Sequence, residues 1–335
     1  MKRLLARALM ACAVLMISLD LAQAQDPQYS QFFSNPVMLN PAFTGTGNGR
    51  RVVMNYRAQW VNIPGFYNQF AVSYDEPFRF LGNTMGLGIS VAADRAGEGQ
   101  LTKINPTLNY AYHIELARDH YLQFGLGVGF IQASIDPTLL RFPDQIDGRQ
   151  GFIFPTNEPV GTWNLNRINP DVNFGATYLN EYAWVGASVH HITQPTEVFT
   201  SVAGQDVDAT RLPRKYTITA GLNIPVYDFG SRREMTISPA VLYKMQGQFR
   251  QIDLGIYANI EPMVFGLWYR HQDAMIALIG VTQGPFSFGY SFDYTISTLT
   301  QRISGGSHEL SLVFEFEKVY RGRQIKHRDL PCPKF

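Results

Sequence analysis

The stretch FSFGYSFDYT, Phe286–Thr295, places Phe286, Phe288, Tyr290, Phe292 and Tyr294 on one set of alternating positions and Ser287, Gly289, Ser291, Asp293 and Thr295 on the other. A period of two is the mark of a β-strand whose two faces meet different media. Five rings against five small or polar groups set the question of the fold: whether the apolar face of such a strand looks inward or outward.

The pattern recurs along the chain. Residues 103–116 set Ile104, Leu108, Tyr110, Tyr112, Ile114 and Leu116 against Lys103, Asn105, Thr107, Asn109, His113 and Glu115. Residues 215–224 oppose Tyr216, Ile218, Ala220, Leu222 and Ile224 to Lys215, Thr217, Thr219, Gly221 and Asn223, and residues 309–317 oppose Leu310, Leu312, Phe314 and Phe316 to Glu309, Ser311, Glu315 and Glu317. Residues 121–130 carry Leu122, Phe124, Leu126, Val128 and Phe130 opposite Gln123, Gly125, Gly127 and Gly129. Between turn signals, fourteen segments of this kind are predicted, near residues 51–60, 67–77, 84–94, 101–116, 120–133, 168–179, 182–191, 214–225, 233–245, 249–259, 262–270, 274–282, 285–296 and 308–318. Helical periodicity is scarce after residue 50.

A soluble sandwich would bury the apolar faces, whereas a transmembrane barrel shows them to lipid and lines its interior with polar and small groups. Three features favour the barrel. Strands of about ten residues, rising ~3.3 Å per residue at a tilt of ~40°, cover the ~25 Å apolar band of an outer membrane. An even number of antiparallel strands closes on itself and removes the sheet edges that lipid cannot solvate. The predicted connections also alternate: residues 134–167, 192–213 and 297–307, the three longest, all fall on one side, while Ala117-Arg118-Asp119, Asn180-Glu181 and Gln283-Gly284 fall on the other. On this reading Phe286 to Tyr294 face lipid, with the tyrosines toward the interfaces.

Composition agrees with an exported chain. The 335 residues are 45% hydrophobic and 13% aromatic, yet the longest apolar run beyond the N-terminus, residues 274–281, is too short for a membrane helix. Residues 1–24 have Lys2, Arg3 and Arg7 ahead of an apolar core and Ala22-Gln23-Ala24 before the cut, a signal-peptide pattern with Gln25 as first mature residue. A lipoprotein box at residues 9–12 would leave too short an apolar core before Cys12. Removing residues 1–24 takes away three bases and one acid (Asp20), leaving 25 Lys and Arg against 26 Asp and Glu. That balance points away from nucleic acid, and with Cys332 alone remaining, no intramolecular disulfide can form.

No chemistry-bearing motif stands out. The inward face would carry Arg51, Asn55, Arg57, Gln59, Asp75, Lys103, Asn109, His113, Glu115, Asp253, Asp293 and Glu315, charges of both signs that pair across an interior or line a pore. His190 and His191 are neighbours on one strand and so are expected to point to opposite faces, which disfavours a shared metal ion. There is no GxSxG elbow, and Gly125, Gly127 and Gly129 alternate on a strand face rather than opening a helix, so they make room inside the barrel instead of cradling phosphate. Residues 25–45 do not alternate; Asn35-Pro36 and Asn40-Pro41 enclose Val37, Met38 and Leu39, which fits either a leader to the first strand or a turn-rich plug. The C-terminal run has six bases (Lys318, Arg321, Arg323, Lys326, Arg328 and Lys334) and one acid, Asp329.

The stretches DPQYSQFFSNPVMLNPAFTG, YRAQW (residues 56–60), IPG (63–65), YAYHIEL (110–116), GSHELSL (306–312) and the terminal CPKF (332–335) resemble the PorP/SprF-like outer-membrane proteins of the type IX secretion and gliding machinery of Bacteroidota. The resemblance spans nearly the whole mature chain. It implies a β-barrel that is not an enzyme and uses no cofactor, working with periplasmic ring and lipoprotein components and with the C-terminal domain of an exported cargo protein. The motif positions it carries over are Asn35, Pro36, Asn40, Pro41, Trp60, Cys332, Pro333 and Phe335, as candidates for partner contact.

The expectation is therefore an all-β chain: a signal peptide (1–24), a plug or leader (25–49), an outer-membrane antiparallel β-barrel of fourteen strands (50–320) and a basic periplasmic tail (321–335). Its expected partners are membrane lipid, cargo and ring components, with no nucleic acid and no metal. A passive pore or an uptake channel for small hydrophobic molecules, with the N-terminal segment as a hatch, is the alternative.

Overall fold

The computed structural model describes residues 26, 28–47, 49–80, 83–97, 99–196, 199, 211–227, 234–297 and 300–317. The expected leader (1–24) and tail (321–335) lie outside them. The strands are β1 Gly49–Gln59, β2 Tyr67–Phe80, β3 Asn83–Ala96, β4 Leu101–Ala117, β5 His120–Ser134, a small hairpin of β6 Ile146–Asp147 and β7 Gly151–Phe152, then β8 Asn166–Asn180, β9 Ala183–His190, β10 Lys215–Leu222, β11 Ile224–Tyr227, β12 Glu234–Gln246, β13 Phe249–Ile260, β14 Met263–Arg270, β15 Ala274–Gln283, β16 Phe286–Thr295 and β17 Ser307–Glu317.

Apart from the separate β6–β7 hairpin and the β10–β11 break, each strand pairs antiparallel with its neighbours along the chain, β5 pairing directly with β8. The first strand meets the last: Gly49 lies opposite Glu317 and Gln59 opposite Ser307. β10 and β11 both pair with β12 and form one stave interrupted at Asn223. The result is a closed antiparallel barrel of fourteen staves. Each of the fourteen segments expected from alternation is a stave.

Side-chain exposure answers the question posed by residues 286–295. Phe286, Phe288 and Tyr294 are exposed on the outer surface, while Gly289, Ser291, Asp293 and Thr295 are buried inside. On β4, Leu108 is 57% exposed and its neighbour Thr107 only 7%. Apolar side chains thus face outward to hydrocarbon, as in a membrane barrel. Tyr290 departs from the expected placement: it sits mid-strand rather than at an interface, and its hydroxyl is satisfied by Nδ1 of His308 on β17 at 2.7 Å.

The connections segregate by parity. The described residues of the connections that follow β1, β3, β5, β9, β12, β14 and β16 share one end, here the long-loop end. Those at 118–119, 181–182, 261–262 and 284–285 share the other, the short-turn end, as do the end of β2 and start of β3 and the end of β11 and start of β12. The wall is also uneven in height. β4 has 17 residues and β14 has 8, so at the ~40° tilt of such barrels one side stands about 43 Å tall and the other about 20 Å. The surplus on the tall side carries polar groups at the long-loop end, including Asp94 opposite Lys103.

Replacing outward-facing Leu108 by Arg should destabilise the barrel by about 2–4 kcal/mol in lipid vesicles, read from denaturant refolding, whereas Leu139→Arg in the long 135–165 connection should change it by no more than about 0.5 kcal/mol. Equal costs at the two positions would contradict the outward orientation.

Candidate functional site

The site lies in the lumen, and the chain preceding β1 builds it. Two Asn-Pro steps punctuate this segment because proline fixes φ and suits the first position of a helical turn. Pro36–Leu39 forms a single α-turn and Pro41–Phe43 a 3₁₀ turn. Between them the Asn40 N–H donates to Pro36 O at 3.0 Å, and its side-chain oxygen accepts from Ala42 N at 2.9 Å. From residue 30 to residue 46 every residue is buried except Met38, which is half-buried. A chain so enclosed must find partners for its polar groups within the protein.

It finds them on the inner faces of staves all round the barrel, descending from one end to the other. At the long-loop end the Asp26 N–H donates to Gln246 Oε1 at 3.1 Å, and the Ser30 and Gln31 N–H groups donate to the two oxygens of Glu309 at 2.6 and 3.0 Å. Midway, Ser73 Oγ donates to Asn35 Oδ1 at 2.8 Å, while Asn35 Nδ2 donates to Asn55 Oδ1 at 3.2 Å. On the opposite wall Asn40 Nδ2 donates to the carbonyls of Ala176 and Ala187 at 3.3 and 3.1 Å. Toward the short-turn end the Gly45 N–H donates to Asp75 Oδ2 at 2.7 Å, and His113 Nε2 donates to Thr44 O at 3.0 Å.

The wall is shaped for this backbone. A β-carbon at Gly125 would collide with Pro41 and Ala42, and one at Gly86 with the Thr44 carbonyl. Of the three alternating glycines on β5, Gly125 alone makes room for the segment; Gly127 and Gly129 relieve contacts with Asn109 and Pro106 of the neighbouring strand.

Most inward charges are paired. Arg57 contacts Asp293 at 2.9 Å and Glu309 at 3.3 Å, and Arg270 contacts Asp293 at 3.3 Å and Asp253 at 3.4 Å. Ser30 Oγ sits among them, donating to Asp293 at 2.6 Å and accepting from Arg57 at 2.6 Å. Arg51 clasps Asp75 with two bonds of 2.9 Å. Removing one member of a buried pair leaves an uncompensated charge and costs about 3–5 kcal/mol. Of the polar residues expected inside, Arg51, Asn55, Arg57, Asp75, Asn109, His113, Asp253 and Asp293 are buried and Gln59, Lys103 and Glu315 half-buried. Glu115 is exposed near the short-turn end.

The remainder of the lumen is not polar, contrary to expectation. Phe32 and Phe33 pack edge-on against Trp268 and Trp184 at ring separations of 4.8 and 5.0 Å. Leu242, Tyr257, Val264, Ile276 and Leu278 complete this cluster from β12 to β15. A strand that is apolar on both faces is covered on both, which explains the unbroken run at residues 274–281. That run was the signal available in the sequence.

His190 and His191 correct another expectation. The strand ends at His190, and His191 takes a left-handed backbone with φ 58°. Both imidazoles are therefore buried inside, with ring centroids 6.4 Å apart. They do not share a partner ion: His191 Nδ1 meets Asp171 at 3.1 Å and Nε2 meets Asp26 at 2.8 Å. Among the described residues no group of three or more His, Cys, Asp or Glu is placed to hold a metal. Lys215 Nζ also donates to Asp26, at 2.6 Å. Burial alone would raise the Asp26 pKa, but His191 and Lys215 hold it well below the usual carboxylate range. For His191, burial opposes the charge, and the two aspartates outweigh it, lifting the imidazole to about 9.

Of the positions carried over from family motifs, Asn35, Pro36, Asn40 and Pro41 meet in the lumen. Trp60 lies apart at the long-loop end, with φ 60°, donating its N–H to Gly306 O at 2.9 Å and standing edge-on to Tyr67. Cys332, Pro333 and Phe335 fall outside the described residues.

The family model described as type IX secretion system membrane protein PorP/SprF matches residues 21–314. No match was found among curated proteins. Similar solved structures include a CymD monoaromatic hydrocarbon channel, 12% identical over 86% of this chain and 94% of its own, with a TM-score of 0.43. A Pseudomonas aeruginosa FadL homologue is 12% identical over 87% and 95%, with a TM-score of 0.44. A mutant of the ferric enterobactin receptor PfeA from Pseudomonas aeruginosa is 12% identical over 73% and 44%, with a TM-score of 0.34.

Because the folded state raises the His191 pKa above its unfolded value of about 6.5, its contribution to stability is full below that pH and is lost as pH rises through about 9. Heat-modifiable gel migration should show the folded band melting earlier at pH 10 than at pH 6, and His191→Gln should flatten that difference. An unchanged pH dependence in the variant would show that the imidazole is not charged in the folded barrel.

Proposed function

We propose that this chain, which belongs to the PorP/SprF family of type IX secretion system membrane proteins, works as a plugged outer-membrane scaffold rather than an open pore. Residues 25–49 act as the plug. The long loops face the cell surface and hold the C-terminal domain of an exported cargo protein, and the short-turn end, with the basic 321–335 tail, faces periplasmic ring or lipoprotein components of a Bacteroidota envelope.

The observation that carries this reading is the enclosure of residues 30–46 by bonds to opposite walls. A water-filled pore needs a continuous path, whereas a segment bonded to Glu309 on one side and to Ala176 and Ala187 on the other favours the closed state. The loops supply the recognition surface: beside the β6–β7 hairpin, Ile146, Phe152, Ile153 and Phe154 are each about half exposed on one long connection. Clustered apolar groups in water mark a protein contact more often than an isolated one does. The tail's excess of bases suits an acidic partner.

In planar bilayers the intact protein should be silent, and Gly125→Leu, which drives a side chain into the Pro41–Ala42 backbone, should produce conducting events. Affinity capture from outer membranes in mild detergent should recover a cargo with a C-terminal sorting domain or ring subunits, and replacing Ile153 and Phe154 by Ser should lower cargo recovery several-fold while barrel migration stays unchanged. A steady conductance from the intact chain together with recovery of neither partner would establish the uptake-channel alternative instead.

A further inference from the structure

Between the N-terminal segment and the long-loop half of the wall lies a cavity of about 120 Å³. Its size is a little below that of the ~150 Å³ apolar cavity that admits benzene. One part of its lining is apolar: Phe32, Val37, Leu39, Ile131 and Leu212. The charges on the rest are unequal. Lys103, Lys215 and Lys244 stand against Asp26 and Asp94. Lys215 is bonded to Asp26, Lys103 faces Asp94 across the β3–β4 register, and the His191 cation is held between Asp26 and Asp171.

Lys244 is the cation left over. Its ammonium makes no ion pair or hydrogen bond with the described residues: it overlies the Phe32 ring at 5.8 Å, and the carboxylate that acts on it from outside the lining, Asp253, is engaged by Arg270 and Gln251. Two further polar groups of the lining lack partners: the Tyr29 hydroxyl and Nδ1 of His190, a residue 8% exposed. A half-buried cation with no ion-pair partner in direct contact is costly, as are unmet polar groups beside it. An apolar floor, one positive charge of the lining without a partner in it and two idle polar groups define a complementary guest.

We propose that this cavity binds a monocarboxylate borne on a short apolar group, with the carboxylate on the Lys244 ammonium and within reach of the Tyr29 and His190 donors, and the apolar part against Phe32, Leu39 and Ile131. A phosphate dianion would overcompensate the single surplus charge and gain nothing from the apolar floor. The cavity's size admits a branched five-carbon acid or the last residue of a polypeptide ending in a free carboxylate. The site stands whether or not the barrel serves secretion.

Titration calorimetry on the detergent-solubilised full-length protein tests it with valerate, isovalerate and a hexapeptide ending in leucine with a free carboxylate, against pentanol and the amidated peptide. At least one carboxylate should bind and its neutral counterpart should not. Binding by the small acids alone identifies a free metabolite-sized guest, and binding by the peptide acid alone identifies a chain terminus. Lys244→Gln should weaken binding about tenfold or more, the loss expected for one charge-assisted hydrogen bond, while heat-modifiable migration stays that of the parent. No binding of any carboxylate at millimolar concentration, equal binding of the neutral counterparts, or an unchanged affinity in a folded Lys244→Gln protein would each overturn the assignment.

Discussion

A strand in hydrocarbon has no water to satisfy an unpaired N–H or C=O, so the pairing of β1 with β17 is the constraint from which the rest of this structure follows. Closing the sheet removes both edges and forces each stave to have one face toward lipid and one toward the interior. Outward faces then become apolar, as with Leu108 and Phe288. Inward faces become free to carry arginine, aspartate and glutamate, but only if those charges are compensated where water is scarce.

Compensation is what the N-terminal segment provides. Glu309 accepts two backbone N–H groups from Ser30 and Gln31 besides facing Arg57, and Asp75 accepts one from Gly45 besides holding Arg51. These charge-assisted bonds are directional and set the height of each residue along the barrel axis. Phe32 and Phe33 contribute a different kind of hold. Their packing against Trp184 and Trp268 buries area without demanding exact partners, and so fills the side of the lumen whose staves are shortest. Glycines at 86 and 125 thin the wall where backbone meets backbone.

The long-loop end combines these elements with a local ionic knot. Asp26 joins His191, Lys215 and Gln246, which belong to three different parts of the barrel rim. The start of the described segment is therefore tied beside the loops that the proposed cargo would meet, while its end leads directly into β1 at the opposite mouth. Between the two mouths the segment runs past the cavity lined by Lys244.

Much of this architecture was legible in the sequence, because a strand between two media writes its environment into every second residue. Alternation like that of residues 286–295 and 103–116, repeated in fourteen segments, sufficed for strand number and the parity of the connections, and the motifs around Asn35-Pro36 and Asn40-Pro41 marked an irregular segment before β1. The apolar half of the lumen was announced only by the broken alternation at 274–281, since a face covered by the chain's own phenylalanines looks the same in sequence as one covered by lipid. Which wall residue meets which residue of the N-terminal segment was not legible at all. Ser30 and Asp293 are 263 positions apart, and no local pattern encodes a contact created by closure. Likewise, strand periodicity separates His190 from His191, and only the turn at the end of β9, made by the fold around it, brings both rings inside. Sequence determined which faces of the alternating staves meet lipid; the closed barrel decided which distant groups share its interior, because proximity there depends on stave order and register, which are properties of the assembled sheet.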